Sequence, residues 1–119
     1  MTRWTVDIIS DPTYWVCLGI IGANEGISEN SYNHPTSYGW ACAKQVYIKG
    51  VNHCGSGGWV KWQVGDRGIF TYDPLRGILY LFLERIETDF SISTGVMLDA
   101  FIHCSLYHNG TEVRFGVLG

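Results

Sequence analysis

The chain has 119 residues, a net charge of -3 and 16% charged against 46% hydrophobic residues, so it has the size of one domain with a real core and no basic footprint for nucleic acid. No run of 18 apolar residues suggests a membrane span, and fifteen glycines beside three prolines point to tight turns, not disorder.

Trp4, Val6 and Ile8 alternate with Arg3, Thr5 and Asp7, the period of a half-buried strand. This opening does not read as a signal peptide. Asp11-Pro12 marks a turn. Residues 14–21 are apolar throughout and predict a second strand, with Gly19 at a bulge or close contact. Residues 22–37 lack periodicity and are dense in Gly, Asn and Ser, so they read as a long loop. Residues 38–43 and 45–48 read as short strands, followed by a turn at Lys49-Gly50. Residues 55–58 read as a flexible connector, and residues 59–64 as a short strand or an extended crossing.

Residues 65–83 carry the fullest pattern in the chain. Gly65-Asp66 punctuates, Ile69, Phe70 and Tyr72 form a β-rich run, and Asp73-Pro74 opens a turn that Gly77 closes. Residues 78–83 follow as an almost wholly apolar strand. Ile78, Tyr80 and Phe82 lie on one face and Leu79, Leu81 and Leu83 on the other, which predicts a hairpin covered on both sides. After a break at residues 85–89, Phe90 and Ile92 alternate with serines. Residues 98–107 read as another strand, Asn109-Gly110 as a two-residue turn, and residues 112–117 as a last strand with Val113, Phe115 and Val117 on one face. Eight or nine short strands without helical periodicity predict an all-β sandwich.

Little catalytic grammar accompanies these strands. His53-Cys54 and His103-Cys104 pair candidate bases with thiols, but adjacent strand residues point to opposite faces. There is no nucleophile elbow, no paired zinc ligands, no calcium-loop order and no phosphate loop leading into a helix. The expectation is a non-enzyme with no cofactor and no metal. Asn109-Gly110-Thr111 fits a glycosylation pattern and reads as the turn itself. Cys17, Cys42, Cys54 and Cys104 are expected to be reduced thiols of a cytoplasmic protein. Most of the five tryptophans should fill the core, while Tyr32, Tyr38 and Trp59, in or beside loops, are candidate contacts.

Several pieces, in order, resemble the SPRY domain of tripartite-motif proteins and SOCS-box adaptors. Trp4-Thr5-Val6-Asp7-Ile8 is similar to its opening strand, and Val16-Cys17-Leu18-Gly19-Ile20 to the next. Tyr38-Gly39-Trp40 with Val46-Tyr47 resembles a further segment, and Gly65-Asp66, Asp73, Gly77, Leu79 and Phe82 the central hairpin. The pieces cover about 110 residues of what reads as a single domain, which can be a fragment of a larger protein. The resemblance implies a bent antiparallel β-sandwich of the concanavalin-like jelly-roll type. It implies recognition of a peptide or protein through end loops, as in the substrate-recruiting part of a ubiquitin ligase or adaptor. A carbohydrate-binding, lectin-like domain is the alternative. The expected surface is the 22–37 loop, with Asn24, Glu25, Asn30, Tyr32 and His34, together with Tyr38, Phe101 and His103. In relatives the segment ending in His-Cys carries an aromatic toward the peptide, and Phe101 holds that place. Ile102 stands where some relatives have Gly.

Overall fold

The computed structural model describes residues 1–10, 16–23, 31–42, 44–95, 99–106 and 112–118. Among them are ten strands: β1 Thr2–Ile8, β2 Val16–Gly22, β3 Tyr38–Ala41, β4 Val46–Ile48, β5 Val51–Asn52, β6 Arg67–Asp73, β7 Ile78–Leu83, β8 Thr88–Ser93, β9 Ala100–Leu106 and β10 Val113–Val117. They form two antiparallel five-stranded sheets, ordered β10-β1-β6-β7-β8 and β5-β4-β3-β2-β9. Three short 3-10 turns, Ser31–Asn33, Ser56–Gly58 and Glu84–Ile86, are the other regular elements described. Among the described residues, no helix is long and apolar enough to cross a membrane. The expected all-β sandwich is the architecture found. The strand count exceeds the expectation because the two-residue β5 has no pattern of its own.

The inward pleats of the two sheets make one core. Trp4, Val6, Ile8, Phe70, Leu79, Leu81, Leu83 and Phe90 from the first sheet meet Val16, Leu18, Ile20, Trp40 and Val46 from the second. Trp4 stacks on Phe70 with centroids 5.2 Å apart, and Phe70 lies 5.9 Å from Trp40 across the interface. Residues 59–64 form no strand; they are the extended crossing. The indole of Trp59 donates to the Ala41 carbonyl at 2.6 Å and that of Trp62 to the Trp40 carbonyl at 2.9 Å. Trp59 is 1% exposed, so it is a core residue and not a surface contact. Residues 55–58 are a defined turn, with Gly55, Gly57 and Gly58 all at positive φ, a conformation that costs side-chain-bearing residues more.

The β6–β7 hairpin closes as its sequence suggests. The Asp73 carboxylate accepts from the N–H groups of Leu75 and Arg76 at 3.1 and 3.3 Å, and Gly77 donates to the Asp73 carbonyl at 2.9 Å. Its two-sided coverage does not hold. Leu79, Leu81 and Leu83 are fully buried, but Ile78, Tyr80 and Phe82 remain half-exposed on the outer side. A strand in mid-sheet loses part of its outer surface to its neighbours alone, and apolarity on both pleats does not require a second layer. β2 and β3 are the strands buried on both faces along their whole length. The last strand has its three apolar residues on one face as expected, but that face is not covered. Val113, Phe115 and Val117 share the inward pleat with Ile8, Val6 and Trp4, yet Phe115 is 44% and Val117 78% exposed because β10 is an edge. The predicted turns at Asp11-Pro12 and Asn109-Gly110 lie outside the described residues.

Candidate functional site

The outer face of the second sheet is where a chain segment folds back. Strand register fixes its rows. Ile21 lies beside Phe101, Gly19 sits between His103 and Gly39, Gly39 is opposite Tyr47, and Cys17 sits between Ser105 and Ala41. The middle row therefore has two glycines between His103 and Tyr47. Neither position accepts a side chain: a Cβ on Gly19 would run into the Tyr38 carbonyl, and one on Gly39 into the Leu18 carbonyl. The result is a shallow trough with a side chain on either rim.

Residues 31–37 lie against this trough. Tyr32 packs edge-on against Tyr47, ring centroids 5.2 Å apart, and joins the small cluster of Cys17, Ala41 and Tyr47. His34 lies near enough to His103 for their charged forms to repel. Two backbone N–H groups pin the C-terminal end of the segment. The Gly22 N–H donates to the Thr36 hydroxyl at 3.1 Å, and the Gly50 N–H to the Ser37 carbonyl at 3.0 Å. Gly50 has φ +76, and a Cβ there would collide with the Asn33 and His34 carbonyls, so the Lys49-Gly50 turn is shaped to receive the loop.

The chemistry of the trough is quiet. Burial, with repulsion from His34, holds the His103 imidazole down to about 4, so it is neutral near pH 7. His103 Nδ1 is buried without a hydrogen-bond partner among the described residues. Burial raises the Cys17 thiol and pushes that of Cys104 up to about 12, which keeps both protonated. Cys104 faces the core opposite Leu18, while His103 points to the outer face, so this pair cannot act together. The described residues contain no cluster of three or more His, Cys, Asp or Glu side chains that could hold a metal. Each described cysteine is a free thiol.

No family model and no curated protein matches the sequence. Among solved structures, the chain is similar to the crystal structure of the SPRY domain of human HERC1. The TM-score is 0.74 over 98% of this chain and 74% of that one, at 12% identity. The chain has the SPRY fold.

Within that SPRY fold the predicted site residues separate. Phe101 is 60% exposed on the outward pleat of β9, so it is not core. Tyr32 and His34 are half-exposed on the segment that lies against the trough. His103 is 4% exposed and forms a covered rim of the trough instead of a contact surface. Tyr38 is withdrawn from the surface: it is 4% exposed in the core, and its hydroxyl donates to the Thr94 carbonyl at 3.3 Å. Alternation along β3 places it on the pleat opposite Gly39. Asn24, Glu25 and Asn30 lie outside the described residues. The sequence reading missed Tyr47, which carries Tyr32, and the exposed Asn33 and Pro35 of the same segment. The apolar Val46-Tyr47-Ile48 run marked a strand but not which of its faces a loop would cover.

Proposed function

We propose that this chain is a protein-interaction module that binds a peptide or protein surface at the face formed by Tyr32, Asn33, His34, Pro35 and Phe101. The observation that carries this reading is Phe101, an aromatic 60% exposed on a strand whose next outward residue, His103, is buried. An aromatic held on a rigid strand loses little conformational entropy on binding and is a frequent energetic anchor. The loop beside it adds polar groups on a fixed frame.

The likeness to a SPRY domain supports protein recognition in general. The finer reading is a single cytoplasmic domain that recruits the substrate of a ubiquitin ligase or serves an adaptor. The lectin alternative loses one usual anchor. Trp4, Trp40, Trp59 and Trp62 are each at most 2% exposed, so none of these four can stack on a sugar.

The test is a displayed peptide library panned against the purified chain, with the selected peptides titrated against variants. Phe101→Ala should weaken binding roughly tenfold or more, the size of a modest anchor, with an unchanged melting temperature. Tyr32→Ala should weaken it as well. Unchanged affinity in both folded variants removes this face as the site.

A further inference from the structure

Three of the four edge strands described carry devices that keep further strands away. β5 is two residues long, β8 contains Asp89 and β10 contains Arg114. Short edges and edge charges of this kind block pairing. β9 has neither. It runs for seven residues without Asp, Glu, Lys, Arg or Pro, and no described strand pairs with it on the side away from β2.

The phase of the β2–β9 ladder fixes which backbone groups reach that open side. The Ala23 N–H donates to the Asp99 carbonyl at 2.8 Å, one step beyond the Gly22–Ala100 pair. Bonded and non-bonded pairs alternate in an antiparallel ladder, so Phe101, His103 and Ser105 turn their backbone groups to β2. Ala100, Ile102, Cys104 and Leu106 turn theirs away. The Cys42 N–H gives the same phase: it donates to the carbonyl of Val16, the residue opposite Leu106, on the β3 side. The edge therefore offers alternating donors and acceptors in one row about 20 Å long.

The side chains along this row are apolar and uncovered. Ile102 and Leu106 lie on the inward pleat, opposite the core residues Ile20 and Val16, yet both are exposed. The sandwich is open on this side. The turn Ser56–Gly58 that follows β5 lies against β8, and Trp59 packs on Phe90 with ring centroids 5.1 Å apart. β5 and β8 thus share one side of the sandwich, and β9 and β10 the other. Phe115 and Val117, on the inward pleat of β10, are exposed there as well.

From this we infer that β9 takes up a partner peptide as an added antiparallel strand. The partner is an extended segment of about seven residues, free of proline, with Val, Ile, Leu or Phe at alternate positions. Main-chain bonds supply the affinity of such strand addition, and alternate side chains its selectivity. A residue placed opposite Ile102 points its own N–H at β9 and its side chain into the opening between β9 and β10. The same alternate residues therefore carry both contributions, while the intervening side chains pass Phe101 on the outward pleat. The inference rests on the reading of this chain as a peptide-binding module and adds how the peptide lies.

The test uses heptapeptides selected by display against the unaltered chain. They should be free of proline and apolar at every second position. N-methylation at the apolar positions of a selected peptide should weaken binding tenfold or more, and at the intervening positions far less. Amide exchange at Ala100, Ile102, Cys104 and Leu106 should be fast in the free chain and slow on binding. Ile102→Lys should weaken binding tenfold or more with an unchanged melting temperature. If N-methylation has no two-residue period, or a bound peptide leaves those four amides unprotected, the inference falls while recognition by Tyr32 and Phe101 stands. If Tyr32→Ala and Phe101→Ala leave affinity intact while the period persists, that face falls and the edge stands. Slow exchange at the four amides in the free chain also overturns the inference: at monomer mass the chain covers its own edge, and at doubled mass a second copy does. A library that yields no binder overturns both readings.

Discussion

The guanidinium of Arg85 donates to the carboxylate of Asp66 at 2.7 Å, and the Asp66 side chain is 1% exposed. Asp66 also accepts from the Gln63 N–H at 2.7 Å, and Arg85 reaches the Lys61 carbonyl at 3.1 Å. The pair thus ties the turn before β6 to the turn after β7. Breaking such a pair costs more than the pair contributes, because one charge stays buried alone. Arg85→Ala should destabilise by roughly 3 kcal/mol or more, and Arg85→Met with Asp66→Leu by less than the single change. Denaturant midpoints of the single and double variants decide it.

Removal of a leucine from the inward pleat of β7 should cost far more than a change on its outer pleat. Leu79→Ala or Leu81→Ala empties a fully buried position and is expected to cost roughly 2–5 kcal/mol. Tyr80→Ser, on the half-exposed side, should cost clearly less. Urea unfolding of the three proteins gives the comparison, and equal losses would mean the hairpin is covered on both sides after all.

Stability should fall in mild acid through His103. Its folded-state value of about 4 lies below the ordinary 6.5, so the unfolded chain takes up a proton first as pH drops. The contribution is fully present above about pH 7, is lost between about 6.5 and 4, and does not change further below that. The loss amounts to on the order of 3 kcal/mol. His103→Gln should flatten this part of a stability-against-pH curve measured by thermal unfolding.

The middle row of the trough should not tolerate a methyl group. Gly19→Ala places a Cβ against the Tyr38 carbonyl and the Gly39 backbone, with no flexible side chain to yield. Overpacking of this kind costs roughly 1–3 kcal/mol or more. The melting temperature should drop, while Gly57→Ala, with open space around it but a positive φ, should lose less.

The edge strands should govern solubility. β9 contains no charged residue or proline and leaves Ile102 41% and Leu106 45% exposed, a template for another strand. Ile102→Lys should slow aggregation on heating, as followed by light scattering, with little change in the unfolding midpoint.

The fold was legible where local grammar and tertiary role agreed. Trp4-Thr5-Val6-Asp7-Ile8 alternates and is half-buried, and Asp73-Pro74 with Gly77 forms the turn it spells. It was less legible where a residue's environment depends on its place in the sheet. Phe115 and Phe70 both occupy inward pleats, but only Phe70 sits under a facing sheet. Ile78 and Ile20 look alike in sequence, and a loop covers the outer side of only the second strand. The candidate site was partly readable for the same reason. Phe101 stood out through a family likeness, whereas the role of Tyr47 depends on a loop returning from a distant part of the chain. Tyr38 looked like a loop aromatic because it follows a long polar stretch, but pleat alternation turns it inward.

Trp4, Trp40, Trp59 and Trp62 form one array with Phe70 and Phe90, walled off from both outer faces by the sheets themselves. These four indoles are shielded emitters that sense the interior and not the surface. Their emission should be blue-shifted in the native protein and move red on unfolding. A peptide docking on Phe101 and Tyr32 would leave their spectrum nearly unchanged. Emission from these four is therefore a faithful clock for folding and a blind one for recognition, which calls for a label placed on the trough.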